Sequence, residues 1–431
     1  MRINRLGVLL LVIGLMISWQ VPGKVLGKTP GVTDTQVLIG SSAGLSGPIA
    51  NWGNNLSRFA PQAYFNKVNE RGGVNGRQIK YKVYDDAYKP DRAVANVKKL
   101  IERDRVFCLL LQMGTPTNMA TYKYVTEVKK VPLMYPATGV HIWGFPFKKY
   151  IFTIGVDYWM GAYTAVDYLV LTRGIKKIGI FHQDDDYGYD VRNPAADRIK
   201  QHGLKIAGEE KYKSGQVDVS AQVTKLRQAG AEAVVLGTVY VSGSQFLREA
   251  KKMGWKIQAI GIPPTGLQKM IDLSGDAAPG FVNMMTNPDA EYGQGPAMDE
   301  YRKVIHQYYP NAPFDNTTMY GWIAAKIFVE ILKRAGRNLT REGLVAAGET
   351  LKDFDTGIIS PISYTNTKHY GASAHYPTVV RDVGGGKLRF VPIGPDMELG
   401  QRATPQWVDS WGMTPEEAKP AYEALKKYPQ R

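Results

Sequence analysis

The stretch "VLIGSSAGLSGPIANWG", residues 37–53, decides how the rest of the chain is read. Residues 40–44 spell G-x-S-x-G, the pattern of a nucleophile elbow, where a serine stands on a sharp turn between a central strand and a helix. The alternative is a loop at the end of a parallel strand that grips a solute without changing it. The setting favours the loop. The strand before it is expected to be the first of the mature chain, so no earlier strand can supply the usual oxyanion loop. Gly44, Gly47 and Pro48 also hinder an immediate helix.

Beyond this loop the signals alternate with short punctuation. An amphipathic helix is expected over 56–71, stopped by Gly72 and Gly73, and a strand with period-two alternation over 77–86. Pro90 and Asp91 open a helix over 90–104, and the apolar run "VFCLLLQ" (106–112) reads as a strand buried on both faces. A helix over 117–130 and a strand over 131–137 follow. The pattern restarts at "YIFTIG" (150–155) and continues through strands at 176–183, 204–212, 231–238 and 256–263, separated by helices. Such alternation implies parallel sheets with helices on both faces, and the number of units exceeds one compact sheet. Residues from about 283 to 350 are mainly helical, dominated by "NTTMYGWIAAKIFVEILKRAG" (316–336). A last helix is expected over 414–428.

The 431 residues suffice for two or three domains, and a composition 44% hydrophobic and 22% charged is that of a folded globular protein. "MRINR" followed by 14 apolar residues (6–19) reads as a secretory signal cleaved near Gly27, too short to span a bilayer. Export makes nucleic acid an unsuitable partner for the net charge of +15, and the basic residues are spread along helix faces. The single cysteine, Cys108, allows no disulfide within the chain and is expected as a buried core thiol.

No catalytic or cofactor constellation emerges. The six histidines show no metal spacing, and His369 and His375, the closest pair, are expected to be solvated. A Walker A motif is absent, and "GGVNGR" (72–77) lacks dinucleotide spacing. No cofactor is expected. What remains is a set of strand-to-helix loops of the kind that bind ligands in open α/β sheets. In "MGTPTNMA" (113–120), Thr115 or Thr117 is expected to cap the following helix, with Pro116 in its first turn. Its free amides suit an anion such as a carboxylate.

Together these loops resemble the branched-chain amino-acid-binding proteins, the type I periplasmic solute-binding family of bacterial ABC importers. "GLSGPIANWG" (44–53), "NERGGVNGRQIKYKVYDD" (69–86), "VPLMYPAT" (131–138), "KKIGIFHQDDDYG" (176–188) and "GDAAPGF" (275–281) recur in the family's order. The resemblance spans residues 34–390. It implies two doubly wound α/β lobes joined by a three-crossover hinge, with the solute trapped by hinge closure. The expected division is 1–27 signal peptide, 28–154 and 283–360 lobe 1, 155–282 and 361–400 lobe 2, and 401–431 a helical extension. It implies a monomeric periplasmic receptor, not an enzyme, that serves the permease and ATPase subunits of an importer. The competing classes are a ligand-sensing module of a signalling system and an exported serine hydrolase using Ser42.

Carried over residue by residue, the resemblance makes Trp52 a pocket wall. It places Thr115, Thr117, Ala137 and Thr138 around a ligand carboxylate, and Tyr187 and Tyr240 on the second lobe. Amino-acid binders of this family commonly carry an acid in the loop that reads "GIPPTG" (261–266) here, where it pairs with the ligand ammonium. This chain has Pro263 and Pro264 instead, leaving Asp157 or Asp186 as substitutes. A desolvated ammonium without a partner costs several kcal/mol, which favours a carboxylate with an apolar or aromatic body. Trp143, Tyr158 and Trp159 add to the aromatic supply for the cleft.

Overall fold

Strands joined through helices run parallel, because the helix carries the chain back along the sheet face before the next strand begins. The computed structural model describes residues 29–393 except 145, 156, 292 and 372–374. The expected signal segment and the C-terminal helix lie outside the described residues. The first sheet contains β1 (Gln36–Ala43), β2 (Gln78–Asp85), β3 (Leu109–Leu110), β4 (Leu133–Met134) and β5 (Ile151–Phe152). Their spatial order is β2-β1-β3-β4-β5, all parallel. The chain then crosses to a second sheet built from β6 (Ile178–Gln183), β7 (Gly208–Tyr212), β8 (Ala233–Gly237), β9 (Gln258–Gly261) and β10 (Val282–Met285). Two further strands, β11 (Tyr376–Asp382) and β12 (Leu388–Pro392), complete it in the order β12-β11-β10-β9-β8-β6-β7.

The last two strands depart from the parallel reading. β11 runs antiparallel to β10, and β12 antiparallel to β11, closing one edge of the sheet through the Gly384–Gly386 turn. The 282/283 division expected from the sequence cuts through β10, all four of whose residues pair with β11, so the second crossing comes after Met285. Helix Asn316–Ala335 then packs on Ala60–Glu70 of the first lobe. Asp315 opens it with a capping box, accepting from the Thr317 and Thr318 amides.

The third crossing returns beside the first. Thr153 donates to His369 O (2.9 Å) and accepts from the Gly371 amide (3.1 Å). His369 and His375 are buried here, contrary to the solvated reading. His369 stacks on Phe152 and bonds Glu349 at 3.1 Å, while His375 packs beside Gly161 and burial lowers its pKa to about 4. Cys108 is fully buried, as expected, and burial raises its thiol pKa well above the ordinary range.

Candidate functional site

Both sheets point their strand carboxyl ends at the same gap. A cavity open to solvent fills it, and its walls come from the segments that follow eight strands. Trp52 follows β1, Tyr88 follows β2, Thr115 follows β3 and Thr138 follows β4. From the other side, Tyr187, Val239, Pro264 and Thr286 follow β6, β8, β9 and β10. Tyr158 and Tyr320 enter from helices Tyr158–Asp167 and Asn316–Ala335. Parallel strands that end together leave such a crevice wherever neighbouring connections diverge to opposite sheet faces.

The first loop owes its path to two close approaches. A Cβ on Gly53 would stand 2.1 Å from Gly44 O, so only glycine lets the turn of Ala50–Asn54 lie against the loop. Gly114 has φ +93 and no room beside the Tyr88 ring, 2.5 Å from where its Cβ would be. Tyr88 itself holds a left-handed backbone, φ 62, pinned by its amide donating to Asp86 at 2.8 Å.

Ser42 is not on an elbow. It lies within β1, fully buried, donating to Asp86 Oδ2 at 2.7 Å and accepting from Asn96 Nδ2 at 3.2 Å. Burial, more than anything else, raises the Asp86 carboxyl to about 6, against the pull of these hydrogen bonds.

Of the residues expected at the site, Trp52, Thr115, Ala137, Thr138 and Tyr187 line the cavity. Thr117 does not; its hydroxyl turns back to Met113 O and to Gly114 O (3.0 Å). Neither threonine caps the helix Thr115–Met119, whose N-cap is Gly114. Asp157 does not line the cavity either. It caps helix Tyr158–Asp167, accepting from the amides of Trp159 (2.8 Å) and Met160 (3.3 Å). Asp186 is the first residue of its helix and is also absent from the cavity wall. Tyr240 is not among the lining residues; its hydroxyl accepts from Asn51 N of the first lobe at 3.5 Å. Trp143 and Trp159 pack elsewhere, against Tyr122 and Tyr163.

Sequence reasoning passed over Tyr88, Tyr320, Thr286 and Asn316. The "DDAYKP" turn (85–90) carried a signal for Tyr88, because an Asx-type turn after a strand aims the next side chain into the crevice.

Electrostatically the cavity is uncharged: no Asp, Glu, Lys, Arg or His is among its described lining residues. Its polar focus is a cluster of donors. Thr115 Oγ1 and Thr138 Oγ1 lie 2.6 Å apart. Burial raises the Tyr158 phenol above its ordinary pKa, while the neighbouring Gly139 backbone and the Thr138 and Thr115 hydroxyls pull the other way. The first amides of helix Thr115–Met119 have no acceptor within the helix. Tyr187 meets Tyr158 edge-on, ring centroids 5.1 Å apart, and donates to Thr238 O at 3.0 Å. Thr286 Oγ1 is buried without a hydrogen-bond partner.

The lobes touch across this cleft. Trp52 Nε1 donates to Pro264 O (3.3 Å), Gln183 Nε2 donates to Tyr88 Oη (3.3 Å), and His141 pairs with Asp190 through its ring and its amide (3.1 Å). Burial alone would lower the His141 pKa, but the charge and hydrogen bond of Asp190, helped by Asp157, outweigh it and raise the value. Among the described residues no group of three or more His, Cys, Asp or Glu could hold a metal ion, and no helix is long and apolar enough to cross a membrane.

Known proteins share this arrangement. The chain is 28% identical over 247 residues to the leucine-, isoleucine-, valine-, threonine- and alanine-binding protein of Pseudomonas aeruginosa, covering 57% of this chain and 65% of that protein. The match thus spans just under two thirds of that relative. Among solved structures, a fatty acid ABC transporter substrate-binding protein from Thermomonospora curvata superposes with a TM-score of 0.77 at 25% identity, covering 86% of this chain and 95% of that one. A branched-chain amino acid ABC transporter protein from Thermus thermophilus, with bound valine, gives 0.75 at 25% identity over 84% and 96%. The model of the periplasmic binding protein family matches residues 36–386, and the chain belongs to that family.

Proposed function

We propose that this protein is the solute receptor of an ABC importer and traps a small carboxylate that carries no α-ammonium group. It is exported by its N-terminal segment to the periplasm and hands the loaded form to a permease and its ATPase. Residues 28–154 with the 286–360 return form one lobe, and 155–285 with 361–393 the other, closing about the three crossings. No bond of the solute is broken, so no catalytic residue is required.

The observation that carries the ligand class is the uncharged wall. A carboxylate finds the Thr115 and Thr138 hydroxyls, the Gly139 amide and the helix-start amides within one cluster. An ammonium beside that carboxylate finds no anion on the wall: Asp86, Asp157 and Asp185 accept backbone amides, and neither they nor Asp186 line the cavity. Leaving it desolvated costs several kcal/mol. Tyr88, Tyr158, Tyr187, Tyr320 and Trp52 instead offer faces to an apolar or aromatic body. The relatives' names, which include both valine-type and fatty acid ligands, fit a fold whose loops admit either class.

A thermal-shift screen of residues 28–431 tests this reading. At about 100 times its dissociation constant a ligand adds roughly 2.7 kcal/mol. Aromatic or aliphatic carboxylates are expected to raise the melting temperature, and leucine, isoleucine and valine to leave it unchanged. A shift by those amino acids, and none by their deaminated analogues, overturns the amine-free assignment. Recruitment of the loaded protein by the reconstituted permease then tests transport.

A further inference from the structure

A second cavity, also open to solvent, lies against the first: Asn316 lines both, and Pro264–Gly266 and Met285–Thr286 run from one wall to the other. It is bounded on one side by Met285, Tyr376 and Phe390 of the second sheet and on the other by Phe314 and Asp315. In contrast to its neighbour it is charged. Asp289, Glu291 and Asp315 line it against a single base, Arg389. Glu291 is matched by Arg389 (2.7 Å and 3.0 Å) and by Lys387.

Asp315 is not matched in this way. Its Oδ1 accepts from the Thr317 amide (2.9 Å) and hydroxyl and from the Thr318 amide (3.5 Å), while Oδ2 is buried with no hydrogen-bond partner. The residue is 6% exposed. Burial is the main influence raising its pKa, with the capping bonds opposing and the Asp272 charge adding to the rise. A buried carboxylate oxygen without a donor is a cost that the fold has no packing reason to keep, since the cap needs only the other oxygen. Phe314, Tyr376 and Phe390 line the same cavity as Asp315. An acid and aromatic side chains in one cavity offer the recognition chemistry of an organic ammonium, which combines a charge-assisted hydrogen bond with cation–π contact.

We infer that this second cavity, lined by aromatic side chains of both lobes, is a binding site for a small organic ammonium anchored on Asp315 Oδ2. The site is independent of the carboxylate cluster, and the inference does not rest on the solute assigned to the first cavity. The probe is cyclohexylammonium chloride, titrated calorimetrically into the full mature chain, with cyclohexanol as the uncharged control. Saturable binding at roughly millimolar dissociation constant is expected for the ammonium and none for the alcohol. Asp315→Asn keeps the helix cap, because asparagine caps as well as aspartate, and is expected to weaken the ammonium by about tenfold or more. Phe314→Leu, which leaves the cap untouched, is expected to weaken it as well, and Thr115→Val to leave it unchanged. Absence of saturation, equal affinity for the alcohol, or equal affinity in Asp315→Asn overturns the inference. So does a loss confined to Thr115→Val, which assigns the ammonium to the first cavity and thereby also counts against the amine-free reading there.

Discussion

Trp52 is the side chain on which closure depends most, because it packs against the apolar cores of both lobes. It sits in the first loop, lines the cavity, and donates Nε1–H to Pro264 O at 3.3 Å. A tryptophan buries on the order of 200 Å², and if half of that faces the second lobe, about 100 Å² is covered only when the lobes meet. At 25 cal/mol per Å² this contributes about 2.5 kcal/mol. The indole hydrogen bond adds about 1 kcal/mol, and ordering the side chain on closure takes back about 1 kcal/mol. Trp52→Ala is therefore expected to weaken solute binding by about 2.5 kcal/mol, roughly 50- to 100-fold. Trp52→Phe keeps most of the area and loses the donor, so about fivefold is expected. Calorimetric titration with the carboxylate found in the screen measures both variants, and the melting temperature of each without ligand separates closure from global destabilisation. An alanine variant within about threefold of the parent affinity refutes the view that this ring clamps the lobes.

Other consequences follow from single contacts. Thr115→Val and Thr138→Val each remove one hydroxyl from the donor cluster, and each is expected to weaken a carboxylate by about tenfold or more in the same titration. Asp157→Ala is expected to lower stability by about 0.5–2 kcal/mol in urea unfolding, with Asp157→Asn restoring most of it; a lost affinity at unchanged stability returns Asp157 to the ligand. His141 has a raised pKa in the folded form, so its cross-lobe stabilisation is complete below about pH 6.5, the unfolded value, and fades as pH climbs through the folded value. Solute affinity is thus expected to decline over that window in the parent and to lose that dependence in His141→Gln, read by titration at a series of pH values. Ser42→Ala strips Asp86 of a buried donor, which lowers stability by about 1–3 kcal/mol and leaves solute affinity unchanged; abolished binding contradicts the structural role given to this serine.

Much of the fold was legible because its strands are short apolar runs between amphipathic helices. "VFCLLLQ" read as a strand covered on both faces and "AEAVVLGT" as a strand of the second sheet, and the residues of β3 and β8 are buried. The antiparallel edge was missed although "TVVRDVGGGKLRFV" (378–391) alternates around a glycine turn, a hairpin signal masked by the expectation of parallel pairing throughout. At the site, the residues found were those in loops directly after strands, where topology alone aims them at the crevice. Tyr320 and Asn316 escaped because they reach it from a helix that returns more than 160 residues after the first crossing. Nothing local in "NTTMYGW" (316–322) distinguishes a cavity tyrosine from a core one.

The place of Asp157 off the cavity wall follows from the same limit and exposes how the site is made. Five acids stand within two residues of a cavity residue: Asp86 before Tyr88, Asp157 before Tyr158, Asp185 and Asp186 before Tyr187, and Asp315 before Asn316. In sequence each looks like a charge offered to a solute. In the structure four of them, Asp86, Asp157, Asp185 and Asp315, accept backbone amides at the start of a helix or turn, at 2.8–3.0 Å for the shortest such bond, while Asp186 is the first residue of the helix that Asp185 caps. The carboxylate thereby fixes the backbone from which the neighbouring side chain reaches the cavity, and its charge is spent before a solute arrives. Charge near a cleft in sequence and charge on its wall are thus opposed quantities here. The more firmly these acids orient the tyrosines, the less anionic the cavity is, and the worse it suits an ammonium. Asp315, with one oxygen capping and the other unpartnered, is where that economy is incomplete, and the charge it leaves over lies on the wall of the second cavity rather than the first.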